Sequence, residues 1–524
     1  MSKHGGCEFD LLIIGSGIAG TTAAITAAAR GLRVGMLSKE PEIAESNTWY
    51  AQGGIVGPSD EDTPELLEND IVIAGDHLNS LDAVRLLVEE GPPLVESLLR
   101  RELGVDFSRS ASGEIDLTRE AAHSVRRIYH VMDTTGRAIE EALVRTVTSS
   151  GSITIFRNTT AIDLITNVHN SRNAHERYRP LRVIGTYALG NESSSVNAFF
   201  APHVVLATGG VGNLFLHTSN PDGATGDGLA MAYRIGAEVL NAEYVQFHPT
   251  VLYHRDAGRF LISEALRGEG ARLLNHSGDY FMSGYIPDAA DLGPRDEVVR
   301  AIYREMERED SDYVRLDATR ITGVDLEVRF PTIYSTCGSL GIDIRKEPIP
   351  VVPAEHYFCG GVKVDLHGQT SIAGLDAVGE VACTGVHGAN RLASVSLLEA
   401  LLWGRRCGST VSDEYRRIDR ELLSSIPEWV EPTVVEKFDP VLVNQDFHTV
   451  QSMMWNYVGI IRSRKRLTRA QADLDYLSHR IEQFYRGAKL TRRIVELRNA
   501  VLASIIIVRS ALANPVSRGC HFVE

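Results

Sequence analysis

The sequence predicts an α/β protein: a Rossmann-like dinucleotide-binding domain interrupted by an α+β capping domain and followed by a C-terminal helical bundle. Three observations predict it. An apolar run at residues 9–14 feeds the glycine turn Gly15-Ser16-Gly17-Ile18-Ala19-Gly20, an alanine-rich stretch to Arg30 and a second apolar run at 32–37. A strand–glycine–helix pattern returns much later, at 374–402. Between them, from about Ala242 to Pro350, the composition turns charged and irregular, and after Pro432 it turns helical.

The first segment is a βαβ unit by its periodicity. Residues 183–189 and 204–207 read as further strands, 226–237 as a helix, and 451–462, 470–485 and 492–512 as the helices of the final bundle. The boundaries that follow are a discontinuous cofactor domain at 1–244 and 356–415, a capping domain at 245–355 and a helical domain at 416–524. Leu273–Leu274, Ile505–Ile507 and Met453-Met454-Trp455 are core candidates. The charge runs at 304–310 and 462–466 read as solvated helix faces.

A chain of 524 residues is too long for one typical core. Its 44% hydrophobic and 23% charged residues are ordinary for a soluble globular protein. A net charge of −15 argues against nucleic acid as a partner. It does not argue against a small anion, because a local arginine cluster overrides the global sign. Six cysteines, Cys7, Cys337, Cys359, Cys383, Cys407 and Cys520, lie too far apart for a zinc or iron–sulfur site or a disulfide framework, so no metal is expected. That usage fits a reducing, cytoplasmic setting. The first residues run almost directly into a strand and leave no room for a signal peptide. The apolar run at 501–508, flanked by Arg498 and Arg509, is a buried helix segment rather than a membrane span.

In the glycine turn, Gly15 permits the tight turn, Gly17 lets the backbone approach a pyrophosphate and Gly20 allows close helix–strand packing. The helix N-terminus offers free N–H groups to phosphates. The acidic residue usual at the end of the second strand is replaced by Ser38-Lys39-Glu40. Ser38 and Lys39 are placed to serve the ribose and phosphate edge, and this fingerprint leaves FAD and NAD both open. Two distant segments favour FAD, which spans such a fold. One is the strand ending in Thr208-Gly209-Gly210. The other combines Gly379-Glu380 with a glycine loop, 385–399, that starts a helix at Ser396 and Leu397. That helix N-terminus suits the N1/C2=O edge of a flavin, where reduction places negative charge.

Taken in order, GSGIAG, Asn47-Thr48-Trp49-Tyr50-Ala51-Gln52-Gly53-Gly54, LATGG (206–210), ATGDGLAMA (224–232), QFHPT (246–250), EALRGEGA (264–271), PRD (294–296), HGANRLA (387–393) and SLLEAL (396–401) resemble the succinate dehydrogenase/fumarate reductase flavoprotein family over nearly the whole chain. The resemblance implies FAD held by these glycine segments together with Lys39, Ala161, Asp227 and Glu380. It implies that Arg391 and His356 hold one substrate carboxylate and His248 with Ser263 the other. Gln246 and Glu264 complete the substrate pocket, and Arg295 sits over the reacting carbons for charge stabilisation and proton donation. Gln246 and His248, two apart, share one face of a strand. Without the resemblance each residue has a bland reading: His248 satisfies the turn at Pro249, Arg295 makes a surface ion pair, and Glu120 pairs with Arg119 on an exposed helix.

Two places point to one branch of that family. Where membrane-bound members carry a histidine that bonds covalently to FAD, Asn47 stands, and an amide cannot form that bond; FAD is expected noncovalent. The segment Leu117-Thr118-Arg119-Glu120-Ala121-Ala122-His123-Ser124, followed by Arg126-Arg127, resembles the signature of the L-aspartate-oxidising branch, in which a glutamate, here Glu120, meets the substrate ammonium. The chain departs from that pattern with Ala121-Ala122 for Gly-Gly, Val395 for Asn and Ser263 for Thr.

The resemblance implies oxidation of L-aspartate to iminoaspartate, with dioxygen (giving hydrogen peroxide) or fumarate as acceptor. That would be the first step of de novo NAD biosynthesis via quinolinate, with a quinolinate synthase as metabolic partner. The expected protein is a monomer or small homo-oligomer without a membrane partner. The alternatives are a soluble fumarate reductase or succinate-oxidising flavoprotein, opposed by Glu120 and Asn47, and a flavin-binding regulatory protein, opposed by the intact set of His248, Arg295, His356 and Arg391.

Overall fold

A computed structural model describes residues 6–288, 290–432 and 439–524. The expectation about the first residues falls largely on 1–5, outside the described residues. Five short strands form the parallel sheet that organises the molecule, in the spatial order Leu375–Ala377, Val204–Leu206, Leu11–Ile14, Val34–Leu37, Ile153–Phe156. Leu11–Ile14 lies at its centre with every residue buried. The helix Ile18–Ala29 crosses from that strand to Val34–Leu37, which is the expected βαβ unit.

Helix Ile18–Ala29 packs against the late helix Ser396–Asp413 by its smallest residues. A Cβ on Gly404 would lie 2.5 Å from Ala19 O, so only glycine lets these backbones approach so closely. This contact joins residues nearly four hundred positions apart and sets the N-terminus of the late helix beside the glycine turn. The strand of the late pattern is Leu375–Ala377, and the helix expected at 226–237 is Asp227–Arg234.

The irregular middle of the sequence folds as a four-stranded antiparallel sheet in the order Val245–Leu252, Ile349–Phe358, Val314–Asp317, Arg272–Leu274. Helices Arg295–Glu309 and Pro331–Ser339 cover its apolar core. The strand Ile349–Phe358 runs across the expected boundary at 355/356, so the sheet of the middle region leads continuously into the cofactor region. A small antiparallel sheet of Ile55–Val56, Ile128–Tyr129 and Leu117–Thr118 carries the loop that follows Thr118.

Helices Pro440–Val458, Arg464–Gly487 and Arg492–Ala513 form the final bundle. The first starts eleven residues before the expected 451, because Asp439 caps Val441 N and Pro440 suits the opening turn, and it ends at Gly459. Met453, Met454, Trp455, Leu273, Leu274 and Ile505–Ile507 are buried as expected. No helix among the described residues is long and apolar enough to cross a membrane. The six cysteines are free.

The two charge runs are not wholly solvated. Glu305 is fully buried, accepting from Asn275 Nδ2 at 2.9 Å and Tyr285 OH at 3.0 Å. Arg462 precedes the helix beginning at Arg464 and is also fully buried. A block of consecutive charges wraps around its backbone, so some members must point inward, and these two found partners there. Arg462 donates to the carbonyls of Val458, Gly459 and Glu243 and to His521 Nδ1, the last at 2.7 Å, tying the C-terminal tail beneath the cofactor region. Burial pulls its pKa down to about 10.

Arg462→Leu therefore strands four buried acceptors. We expect a loss of about 3 kcal/mol, seen as a lower midpoint of thermal unfolding in the FAD-loaded protein; an unchanged midpoint would show that the tail is not held this way.

Candidate active site

One cavity of about 1200 Å³ runs from the glycine turn to the capping sheet. It exceeds the 300–1,000 Å³ usual for a drug-sized ligand and suits a dinucleotide with a small substrate beside it. Every residue predicted to bind the cofactor lines it except Gly20. Gly20 instead packs: a Cβ there would sit 2.4 Å from Gly15 O. Gly15 has φ +115°, and a Cβ on it would meet Ala207 O at 2.0 Å, so the turn needs glycine on both counts.

The walls fit a dinucleotide. Gly17 caps helix Ile18–Ala29 without a side-chain bond, and Thr48 Oγ1 accepts from Ile18 N at 3.1 Å. Two buried polar atoms lining the cavity, Gln52 Oε1 and Thr208 Oγ1, have no hydrogen-bond partner within the protein. Lys39 Nζ meets Asp227 Oδ2 at 2.5 Å and Glu496 Oε1 at 3.2 Å, while Glu40 is held by Arg492. The acidic side chain that follows the second strand is thus engaged by the helical bundle. Glu380 accepts from Phe358 N at 2.9 Å and Asn47 Nδ2 at 3.1 Å, and burial pushes its carboxyl up to about 7. Helix Ser396–Asp413 begins at the cavity with Val395 as its N-cap and no side-chain cap, so its first amides remain free for a ligand. The valine at the position where the resembled pattern has Asn produces that uncapped end.

At the far end two guanidiniums converge. Arg391, 6% exposed, points Nε and Nη2 at Gln246 Oε1, at 3.2 and 3.0 Å, and Nη1 at Ser396 Oγ, at 2.9 Å. Arg295, the first residue of helix Arg295–Glu309, reaches the same Gln246 oxygen with Nη1 at 3.4 Å and gives Nε to Glu264 Oε2 at 2.8 Å. Gln246 was expected to touch substrate. It is fully buried and does not line the cavity; its amide lies behind the arginines, with Nε2 fixed by Asn390 Oδ1 at 2.6 Å and Arg391 O at 2.8 Å. Burial alone would push Glu264 up, but Arg295 and Arg267 outweigh it and hold it at about 2. Arg295 is therefore not a surface pair.

His248 and His356 face each other with ring centres 5.1 Å apart. Burial, then the charge of the nearby arginines, holds both rings well below the usual histidine range, so both are neutral. His248 Nδ1 accepts from Thr250 N at 3.2 Å, across Pro249. The ring satisfies the turn and also lines the cavity. With Nδ1 as acceptor, its single proton is on Nε2. His356 Nδ1 lies 2.8 Å from Ser219 Oγ. Ser263 lines the cavity and caps the short helix that starts at Glu264, accepting from Ala265 N at 3.3 Å.

Glu120 turns into the cavity while Arg119 stays exposed, so the two do not form a helix pair. Its Oε2 accepts from Ser394 Oγ at 2.7 Å. Burial raises its pKa, partly offset by Arg295 and Ser394. Two non-glycine residues with left-handed backbone shape this corner, Ser394 at φ +57° and Ala122 at φ +63°. Each costs about 1 kcal/mol relative to ordinary backbone. The buried Arg127, paired with Asp62 at 3.2 Å and Asp70 at 2.9 Å, and Ser124, also on Asp70, hold the loop against that strain. The alanine at 122 thus occupies a conformation that suits the glycine of the resembled pattern. Sequence reasoning missed Ser394, Ser219 and Asn390. For Ser394 and Asn390 the signal available was their place inside the late glycine loop.

Residues 10–397 match a family described as FAD binding domain, and residues 448–524 one described as fumarate reductase flavoprotein C-term. The L-aspartate oxidase of Acinetobacter baylyi is 43% identical over 517 residues, covering 98% of this chain and 93% of that one. The chloroplastic L-aspartate oxidase of Oryza sativa subsp. japonica is 40% identical over 541 residues, covering 98% of this chain and 81% of that one. Among solved structures, the E. coli quinol fumarate reductase chain FrdA superposes with a TM-score of 0.87 at 27% identity, over 99% of this chain and 91% of that one.

With Asn47 bonded to Glu380 and offering no nucleophile, acid or heat denaturation is expected to release all the yellow colour into the supernatant. Flavin retained in the precipitate would contradict noncovalent attachment.

Proposed function

Because the chain belongs to the L-aspartate oxidase family of FAD-binding flavoproteins, we propose that it oxidises L-aspartate to iminoaspartate in the cavity between the parallel sheet and the capping sheet. The chain binds FAD, which when bound supplies the hydride acceptor. The residues suited to hold it are the turn Gly15–Gly17, Thr208–Gly210, Glu380 and the uncapped helix start at Ser396 and Leu397.

L-aspartate carries two carboxylates and one ammonium, and the cavity offers a matching set. Arg391 and His356 take one carboxylate, and His248 with Ser263 takes the other. Guanidinium suits carboxylate through parallel charge-assisted bonds, and the neutral imidazoles add Nε2–H donors without adding charge. Arg295, tethered by Glu264, stays as a cation beside the reacting carbons, and with fumarate as acceptor it stabilises the negative charge that hydride addition to one carbon places on the other. Its pairing with a carboxylate and an amide keeps it in place without removing its charge. Dioxygen or fumarate serves as the final acceptor. The product is the starting material for quinolinate on the route to NAD, which makes a quinolinate synthase the metabolic partner.

The observation that carries aspartate over a plain dicarboxylate is Glu120, a carboxylate oriented by Ser394 at the cavity end that holds Arg295 and Arg391. Succinate and fumarate have no use for it.

Glu120→Gln keeps the shape and removes the charge. Affinity for L-aspartate is expected to fall by about tenfold or more, the loss of one charge-assisted bond, while succinate affinity, read from the perturbation of the flavin spectrum, holds or tightens. Equal losses for both ligands would indicate loop damage and withdraw the ammonium assignment. Arg391→Leu is expected to weaken both ligands severely at normal FAD content; an unchanged KM for L-aspartate would remove Arg391 from the site.

A further inference from the structure

His356 differs from His248 in what fixes its proton. His248 Nδ1 is served by a backbone N–H, that of Thr250, which can only donate. His356 Nδ1 is served by a hydroxyl, Ser219 Oγ at 2.8 Å, and that hydroxyl has a second acceptor within reach, the carbonyl of Glu355 at 3.2 Å. A serine has one proton to give. Given to Glu355 O, it leaves His356 free to carry its own proton on Nδ1, with a bare Nε2 that repels a carboxylate. Given to Nδ1, it fixes the proton of this neutral ring on Nε2, the nitrogen left to face the cavity.

The turn that carries Ser219 is held from below. Glu355 and His356 are neighbours in the strand Ile349–Phe358 and so project to opposite sides. The Glu355 side chain is fully buried; its Oε2 accepts from Thr218 Oγ1 at 3.0 Å and Asn220 Nδ2 at 2.6 Å, the residues on either side of Ser219. Ser219 N donates to Glu355 O at 2.8 Å and Asn220 N to Thr218 Oγ1 at 3.0 Å, closing the clamp. Burial, then the neighbouring Glu380, pushes the Glu355 carboxyl up to about 8, so at neutral pH it clamps the turn largely without adding an anion beside His356.

We propose that Ser219 is a positioning residue that sets His356 as the Nε2–H tautomer for a substrate carboxylate, and that the buried side chain of Glu355 holds Ser219 at the distance this requires. The inference rests on the reading in which His356 meets a carboxylate of L-aspartate. It assigns to the 218–220 turn a share in dicarboxylate affinity although none of its side chains needs to touch the ligand.

The test uses FAD-loaded protein and reads KM for L-aspartate, kcat, and the dissociation constant of succinate. Ser219→Ala is expected to raise KM and the succinate constant by about tenfold, with flavin content and thermal midpoint unchanged. Ser219→Thr, which keeps the hydroxyl, stays within about twofold of the parent on the same scale. The double variant Ser219→Ala/His356→Ala is no weaker than His356→Ala alone, because the two act through one ring. Glu355→Leu reproduces Ser219→Ala, and Glu355→Gln, which keeps a neutral oxygen acceptor, does not. Should Glu355→Leu fail to fold, Thr218→Val removes one of the two clamping donors and carries the same readout. A parental KM in Ser219→Ala, or a further loss when it is added to His356→Ala, overturns the proposal while leaving His356 in the site. A parental KM in His356→Ala overturns both this proposal and the reading beneath it.

Discussion

The structure depends on one constraint: two guanidiniums must be kept charged and close together in a place that water barely reaches. Arg295 and Arg391 share a single neutral acceptor, Gln246 Oε1. An anion there would cancel the charge that a dicarboxylate needs; an apolar residue would take the acceptor from Arg391 Nε and Nη2 and from Arg295 Nη1. The amide does neither. Its own orientation is fixed by Asn390 Oδ1 and Arg391 O, and a Tyr357 ring 4.6 Å from the Arg391 guanidinium supports the other side. Of the two, Arg295 is the one paired with a carboxylate, Glu264, which it shares with Arg267, 3.6 Å away.

From that constraint follow the states of the other groups. Burial already disfavours charged imidazole, and the nearby arginines add to it, so His248 and His356 are neutral. The same field favours an anion at Glu120 against a burial that opposes it. The cavity end thus holds two cations, two neutral imidazoles and two carboxylates, Glu264 paired with Arg295 and Glu120 oriented by Ser394, a pattern of charge as well as of size. The fold delivers it by joining distant segments: the strand Val245–Leu252, the capping helix that begins at Arg295 and the late glycine loop all meet at Gln246.

Much of this was legible in the sequence, and for physical reasons. The βαβ unit showed because Gly15 must adopt a positive φ and because strand and helix periods differ. The helical bundle showed because its apolar stripes are long. The segments that line the cavity were readable as motifs, since a backbone that leaves room for close approach needs glycine in a fixed pattern. What stayed hidden depends on tertiary contact. Nothing near Gln246 in sequence says that its partners are Arg391 and Arg295. Nothing near Ser394 reveals Glu120, 274 positions away. Arg462 and Glu305 read as solvated because a run of charges hides the one member that a helix or turn sends inward. The alanine at 122 stood out only as a departure; its positive φ explains why glycine belongs to the pattern there.

The central claim is that this charge pattern selects an amino dicarboxylate. The most direct measurement is the anaerobic loss of yellow colour when L-aspartate, D-aspartate, succinate and L-glutamate are added separately to the FAD-loaded protein. L-aspartate alone is expected to bleach it rapidly. On the proposed assignment, succinate lacks the ammonium given to Glu120, D-aspartate presents its Cα–H in the wrong place once both carboxylates are held, and L-glutamate is one methylene too long for the two carboxylate positions. Bleaching by succinate as fast as by L-aspartate would contradict the account and leave a plain dicarboxylate oxidoreductase in its place.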